Sequence, residues 1–173
     1  MYKRQVREID ERDWVRLRAL RLEMLEDTPI AYLETLETAL RHPVSHWQRL
    51  ARGRGGGLKV VAELDDGRWV GTMGGVIAQG TPTLVAVYVA PDVRGARAGV
   101  TDALLAAVEA WAGRHGDQLR LEVNELNGRA IEAYRRRGFV LTGRTAPYPL
   151  DPPSLELEMV KPLRSHAQVP PGR

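Results

Sequence analysis

The feature that most limits the fold of this chain is an apolar run at residues 82–89, PTLVAVYV. Because neighbouring positions on both faces are apolar, the run predicts a central strand that is buried on both sides. A loop rich in glycine and arginine follows it, PDVRGARAG, and leads into a helix over about 99–114. The apolar residues of that helix recur at helical spacing, so we expect it to cover one face of a sheet.

The remaining segments extend this core to the order β-α-α-β-β-β-α-β-α-β-β. Strand patterns cover 3–9, 58–64, 69–78, 118–124, 139–142 and 155–160. Helical patterns cover about 13–26 and 127–137, and 30–51 is one helix or two short ones interrupted by Pro43. A hairpin early in the chain and helical crossovers later predict a mixed, mostly antiparallel α/β (α+β) sheet of six or seven strands with about four helices. We expect a single domain over 1–164 and a C-terminal tail over 165–173.

The chain contains no cysteine. Disulfides, thiolate metal sites and a cysteine nucleophile are therefore excluded. The four histidines show no metal-ligand spacing, so we expect no metal. No apolar run reaches the length of a membrane span and the first residues are too charged for a signal peptide, which makes a cytoplasmic protein without a membrane partner the expectation.

Arginine dominates the positive charge. Only three of the 25 basic residues are lysines, and the formal net charge is +3. One interpretation is the codon bias of a GC-rich genome. The other is a site for an anionic partner, either nucleic acid or a phosphorylated cofactor.

The loop after the apolar strand is a candidate phosphate site. Arg94, Gly95 and Gly99 precede the helix, whose first backbone N–H groups are free and whose dipole end is positive. The loop lacks the lysine and hydroxyl residue of a Walker A motif and the G-x-G-x-x-G of a dinucleotide fingerprint. A diphosphate-binding loop and a simple tight turn remain open at this point.

A second segment, NGRAIEAYRRRGF, places three residues on one face of a helix. Asn127, Ala130 and Tyr134 are spaced i, i+3 and i+7. The two segments together resemble the GNAT superfamily of N-acetyltransferases, whose acyl-CoA loop reads Arg/Gln-x-x-Gly-x-Gly/Ala and whose next helix reads N-x-x-A-x-x-x-Y-x-x-x-G-F. Arg97 stands where the family loop has its middle glycine.

The resemblance implies acetyl-CoA as the acyl donor, bound between two splayed strands, here 82–89 and 118–124. The implied donor-binding residues are Val87, Val89, Arg94, Gly95, Ala96, Arg97, Ala98, Gly99, Val100, Asn127, Ala130 and Tyr134. It also implies that the Val89 N–H polarises the thioester carbonyl, that an amine attacks directly, and that Tyr134 protonates the departing thiolate or hydrogen-bonds to it. Without the motif, Tyr134 would be interpreted as a core aromatic.

The resemblance implies a carboxylate that takes a proton from the substrate amine. Glu122, Glu63 and Glu34 are the candidates, each also explained as a surface partner for an arginine. We favour Glu122 because strand alternation separates it from Leu121 and Val123.

The implied partner is a small-molecule amine or a protein or peptide amino group. The resemblance also allows a homodimer and does not decide the oligomeric state. A non-catalytic acyl-CoA sensor is the alternative function. Nucleic-acid binding is the least favoured, because Arg135, Arg136 and Arg137 point in different directions on a helix.

Overall fold

Seven strands form one mixed sheet in the order β1-β2-β3-β4-β5-β7-β6. The computed structural model describes residues 4–53, 56–95 and 99–164. The strands are β1 (Arg4–Glu8), β2 (Leu58–Leu64), β3 (Trp69–Ala78), β4 (Thr81–Val89), β5 (Gln118–Asn124), β6 (Val140–Tyr148) and β7 (Asp151–Pro162). Every neighbouring pair is antiparallel except β4 and β5, which are parallel, so the mixed, mostly antiparallel sheet is confirmed.

The described residues contain five α-helices, one more than the sequence predicted. They are α1 (Trp14–Asp27), α2 (Leu36–Leu40), α3 (Val44–Arg52), α4 (Val100–Ala112) and α5 (Gly128–Arg136). The predicted stretch over 30–51 is two helices, because Pro43 lacks an N–H and stands as the N-cap of α3. In the described part of the chain, no helix combines the length and apolarity needed to cross a bilayer. The predicted tail over 165–173 lies outside the described residues.

Strand β6 is the clearest difference from the sequence prediction. The pattern indicated a short strand over 139–142, whereas β6 runs from Val140 to Tyr148 and all but its last residue are exposed. An edge strand that buries no face carries no apolar alternation, so its length was not visible in the sequence.

Glycines in β3 let helix α4 pack directly on the sheet. A Cβ added to Gly71 would lie 3.0 Å from Leu104 Cδ1, and one added to Gly75 would lie 2.6 Å from Trp111 Cε3. Leu104 and Trp111 come from the buried stripe of α4 and are 0% and 4% exposed. Helix α1 lies on the other face, where Tyr88 Oη donates to a Glu23 carboxylate oxygen at 2.7 Å.

Strand β4 contains a bulge at the centre of the sheet. Gly74 pairs with Val85 and Thr72 with Tyr88, so Ala86 and Val87 together face the single residue Met73. Ala86 has φ +52°, a left-handed conformation that is unfavourable for a residue with a side chain. Because a bulge bends its strand and increases its twist, β4 turns away from β5 after this point.

The close contact between Gly75 and Trp111 predicts that Gly75→Ala is destabilising. The added methyl group must displace a buried indole, and overpacking of this kind costs about 1–3 kcal/mol. A lower midpoint in urea unfolding, followed by tryptophan fluorescence, is the measurement.

Gly128→Ala is the matched control for that substitution. Nothing lies within 4 Å of a Cβ at Gly128, and it is the first residue of α5. Its unfolding midpoint should stay the same or rise slightly. Equal midpoints for the two variants would contradict the packing described above.

Candidate active site

A cleft of about 630 Å³ opens where β4 and β5 separate. Only one pair, Thr83 and Arg120, is in register between these parallel strands. By contrast, β3 and β4 stay paired for most of their length. The strands that the family resemblance named as a splayed pair therefore do diverge in this structure.

The cleft brings together most of the residues that the sequence singled out. Its lining includes Val87, Val89, Arg94, Gly95, Glu122, Asn127, Ala130 and Tyr134. Ala96, Arg97 and Ala98 lie outside the described residues. Gly99 has φ +65° and Gly95 φ +105°, so the two ends of the loop use conformations that favour glycine.

Val100 is placed differently from the other predicted residues. Its side chain is 3% exposed and packs against β3, where its Cγ1 would lie 3.2 Å from a Cβ on Gly71. The side chain thus belongs to the core, and only the backbone N–H at the start of α4 is left to serve a ligand.

Strand register directs the Val89 N–H away from β3. The Ala90 N–H donates to the Val70 carbonyl at 2.8 Å, which makes residues 70 and 90 a hydrogen-bonded pair. In an antiparallel ladder the next pair, Gly71 and Val89, is then non-hydrogen-bonded, and the N–H and C=O of Val89 point to the opposite side. That side is the cleft.

The two carbonyls at this strand edge already have partners. Arg94 Nε donates to the Val89 carbonyl at 2.7 Å, and the Tyr32 hydroxyl donates to the Val87 carbonyl at 2.7 Å. Arg94 also forms an ion pair with Asp27 at the end of α1. Arg94 therefore holds the end of β4 in place, whereas the sequence analysis interpreted it only as a phosphate ligand.

Three further arginines line the cleft. From the sequence they were interpreted as compositional background or as a solvated helix end. Arg129, Arg136 and Arg137 come from α5 and its C-cap. Arg137 Nε donates to Asp102 at 2.8 Å, which joins the end of α5 to the first turn of α4. The cleft wall is thus rich in guanidinium groups, as a site for an anionic ligand requires.

Tyr134 lies on the cleft side of α5. Asn127 Oδ1 caps this helix by accepting from the Ala130 N–H at 3.3 Å, and the Tyr134 ring packs edge-on against buried Phe139 with 5.6 Å between centroids. Burial raises the pKa of the Tyr134 phenol above its usual value. The hydroxyl therefore carries its proton at neutral pH.

The three candidate carboxylates lie in different places. Glu122 lines the cleft and forms an ion pair with Arg120. Glu63 accepts from Arg7 at 3.0 Å and from Trp69 at 2.9 Å, on β2. Glu34 lies 3.3 Å from His42 Nε2. Of the three, only Glu122 is among the residues that line the cleft.

The sequence analysis assigned no role to two residues of the site, Tyr32 and Glu156. Tyr32 ends the segment DTPIAY and lines the cleft. Tyr148 Oη donates to the Tyr32 carbonyl at 2.6 Å and so holds this segment against the β6–β7 hairpin. Spacing alone gave no reason to pair residues so distant along the chain.

Glu156 is the second missed feature. It pairs across the strands with Asn124, next to Glu122, and burial followed by the Glu122 charge raises its pKa to about 7. The hydrophobic alternation of β7 shows only that Glu156 points away from Leu155 and Leu157. Its proximity to Glu122 depends on the register of β5 against β7.

The splayed strands, the glycine-bounded loop before α4 and the capped helix α5 lie within one stretch of the chain. The model of the acetyltransferase (GNAT) family matches residues 14–139. The chain belongs to the GNAT family. It is an acetyl-CoA-dependent N-acetyltransferase.

Solved GNAT structures share this fold. A nourseothricin acetyltransferase is 31% identical over 64% of this chain and 67% of its own, with a TM-score of 0.57. A ribosomal-protein-alanine N-acetyltransferase from Brucella melitensis is 26% identical over 92% of this chain and 99% of its own, at 0.71. The yncA acetyltransferase from Salmonella typhimurium, solved with its cofactor acetyl-CoA, is 19% identical over 95% and 96%, at 0.74. No curated protein matches the chain.

No group of three or more His, Asp or Glu side chains that could hold a metal ion occurs within 4–53, 56–95 and 99–164. The rings of His42 and His46 stack with 3.7 Å between centroids, beside Trp47. These two histidines form part of the α2–α3 packing.

The raised pKa of Glu156 predicts a stability that depends on pH. A carboxyl whose pKa is raised by folding from 4.5 to about 7 weakens the fold as pH increases through that interval, because the unfolded chain ionises more readily. Glu156→Gln should therefore leave the melting temperature nearly unchanged at pH 4 and raise it relative to the parent protein at pH 8.

Glu158→Gln is the contrasting control on the same strand. Hydrogen bonding to Arg120 lowers the pKa of Glu158, so this carboxylate stabilises the fold above its unfolded pKa and stops doing so in acid. Glu158→Gln should lower the melting temperature at pH 8 and lose that effect near pH 3. Parallel trends for the two variants would contradict the assigned environments.

Proposed function

We propose that this GNAT enzyme moves an acetyl group from acetyl-CoA directly to a primary amine of a small molecule or of a protein or peptide. The observation that carries the proposal is the divergence of β4 and β5 beside the Val89 N–H, which points into the cleft. The two kinds of acceptor both occur among similar proteins. One of them is named for nourseothricin and another for a ribosomal-protein alanine.

The donor is held by backbone groups and by charge. Gly95 and Gly99, at the two ends of the loop, and the first N–H groups of α4, beginning at Val100, face the diphosphate. Arg129 and Arg136 add positive charge along the cleft wall. Val87 offers its strand-edge N–H group to the pantetheine arm, since its carbonyl is already hydrogen-bonded, while the Val89 N–H is left for the thioester. Asn127 and Ala130 border the same side of the cleft.

The reaction needs two groups that handle charge at the thioester. The Val89 N–H donates to the carbonyl oxygen as negative charge develops there, in the manner of an oxyanion hole. Tyr134 keeps its proton at neutral pH because burial raises its pKa, and its hydroxyl hydrogen-bonds to the departing thiolate or protonates it. The acetyl carbon passes from sulfur to the attacking nitrogen, so no nucleophilic side chain is required, and the chain has no cysteine.

Glu122 accepts the proton that the substrate ammonium must lose before attack. It lies in the cleft on β5, and its partner Arg120 keeps it oriented. Glu156 stands beside it as a second carboxyl, with a pKa near neutrality that suits proton exchange.

Thiol release tests this function. The protein is incubated with acetyl-CoA and a panel of primary amines, and free thiol is titrated, without background because the chain itself has none. We expect thiol release that depends on both protein and amine. Binding of CoA without turnover for any amine would identify a non-catalytic acyl-CoA sensor instead.

Tyr134→Phe should lower kcat by roughly 10- to 1000-fold, because loss of a general acid typically costs about 10²–10⁴-fold and water compensates in part. The dissociation constant for CoA, measured by calorimetry, should change little, since the ring still packs on Phe139. An unchanged kcat would remove Tyr134 from the mechanism.

A further inference from the structure

The Asn124 side chain presents a buried hydrogen-bond donor without a partner. Asn124 ends β5, is 3% exposed and lines the cleft. Its Oδ1 accepts from the Leu126 N–H at 2.9 Å, and this contact fixes the orientation of the amide. Nδ2 is buried and has no hydrogen-bond partner within the described residues. Leaving such a donor unsatisfied is unfavourable, so a ligand atom that accepts from it gains affinity.

The Glu156 carboxyl, which is hydrogen-bonded to Glu122, lies directly across from Asn124. Asn124 and Glu156 are register partners, and Glu122 lies two residues along β5 on the same face. Arg120 binds Glu122 and Glu158, whereas no arginine or lysine forms an ion pair with Glu156 in the parts of the chain that are described. The Glu156 carboxyl also lines a hollow of about 170 Å³ that shares Glu122 with the main cleft.

The spacing of these groups selects a particular ligand chemistry. The Cα atoms of directly paired residues are about 4.5–5.5 Å apart, so a donor and a carboxyl projecting from them reach two polar groups on neighbouring carbons. An ammonium group satisfies the carboxyls, and a carbonyl oxygen beside it satisfies Asn124 Nδ2. A ligand carboxylate at that position would face Glu156, which forms no ion pair within the described residues, and this repulsion disfavours a free amino acid.

We propose that Asn124 and Glu156 form a specificity subsite for acceptors that carry a neutral carbonyl next to the reactive amine, as in an aminoacyl amide or a peptide N-terminus. The subsite rests on the acetyltransferase function proposed above. Asn124 binds the carbonyl, Glu156 and Glu122 bind the ammonium, and the choice among amines is made on the β5–β7 face of the sheet.

Three small probes separate these contributions. L-Alaninamide carries both groups, sec-butylamine lacks the carbonyl, and L-alanine replaces the amide with a carboxylate. From the cost of an unpaired donor, kcat/KM from thiol release should favour L-alaninamide over sec-butylamine by roughly 10- to 100-fold. L-Alanine should be the poorest of the three substrates.

Asn124→Asp is the deciding variant, because it keeps the oxygen that accepts from Leu126 and removes the Nδ2 donor. The preference for L-alaninamide over sec-butylamine should fall by roughly 10- to 100-fold relative to the parent protein. Asn124→Ala removes the donor without adding charge and should give a similar fall, which separates the lost hydrogen bond from the effect of the added charge. Gln118→Glu makes the same amide-to-acid change at the exposed start of β5 and should leave the ratio unchanged. Asn124→Ala serves in its place if the aspartate variant does not fold.

Several results would overturn the subsite. The subsite is overturned if the parent protein shows no preference between the two amines, or if the ratio is unchanged in Asn124→Asp. It is also overturned if the variant loses only affinity for acetyl-CoA, since Asn124 Nδ2 would then bind acetyl-CoA. Absence of turnover with every amine would instead refute the proposed function. In that case calorimetry decides on the subsite. The dissociation constants of L-alaninamide and sec-butylamine are compared for the CoA-saturated parent protein and for CoA-saturated Asn124→Asp.

Discussion

The bulge at Ala86 and Val87 is the constraint on which the cleft depends. It places a residue with a side chain at φ +52°, at a cost of roughly 1–2 kcal/mol for the left-handed conformation. In return β4 bends, its ladder with β5 ends after one pair, and a strand edge is exposed inside the molecule. An unpaired edge at the centre of a sheet is a liability in most proteins, and here it forms a binding wall.

The elements with strong periodicity could be predicted from the sequence because their burial is local. The stripe of α4 and the alternation of β5 show in neighbouring residues, and the position of Glu122 on the polar face followed from them. The spacing of Asn127 and Tyr134 predicted a shared helix face for the same reason, since both belong to α5 and its N-cap. Glu63 and Glu34 could not be separated from Glu122 in this way, because their partners come from distant parts of the chain.

Other features had no local signal. Alanine is not a residue that indicates a left-handed bulge, so the position of Ala86 was invisible. The free donor of Asn124 and the raised pKa of Glu156 arise from the register of β5 against β7, two strands separated by α5 and β6. The roles of the arginines likewise depend on the tertiary structure. Some pair with half-buried acids, as Arg120 does with Glu158, while Arg129 and Arg136 line the cleft. Composition could not divide these two groups.

The two walls of the cleft are built by different means. The wall beside Val89 is sheet backbone, whose geometry is shared by every residue of the ladder. The opposite wall, around Tyr32, belongs to a segment without a long helix or strand, and it is held in place by the hydroxyls of Tyr32 and Tyr148 on backbone carbonyls. Few substitutions suffice to reshape such a segment, and they leave the core intact. The wall around Tyr32 is therefore free to change shape during evolution, while the sheet backbone beside Val89 keeps its geometry.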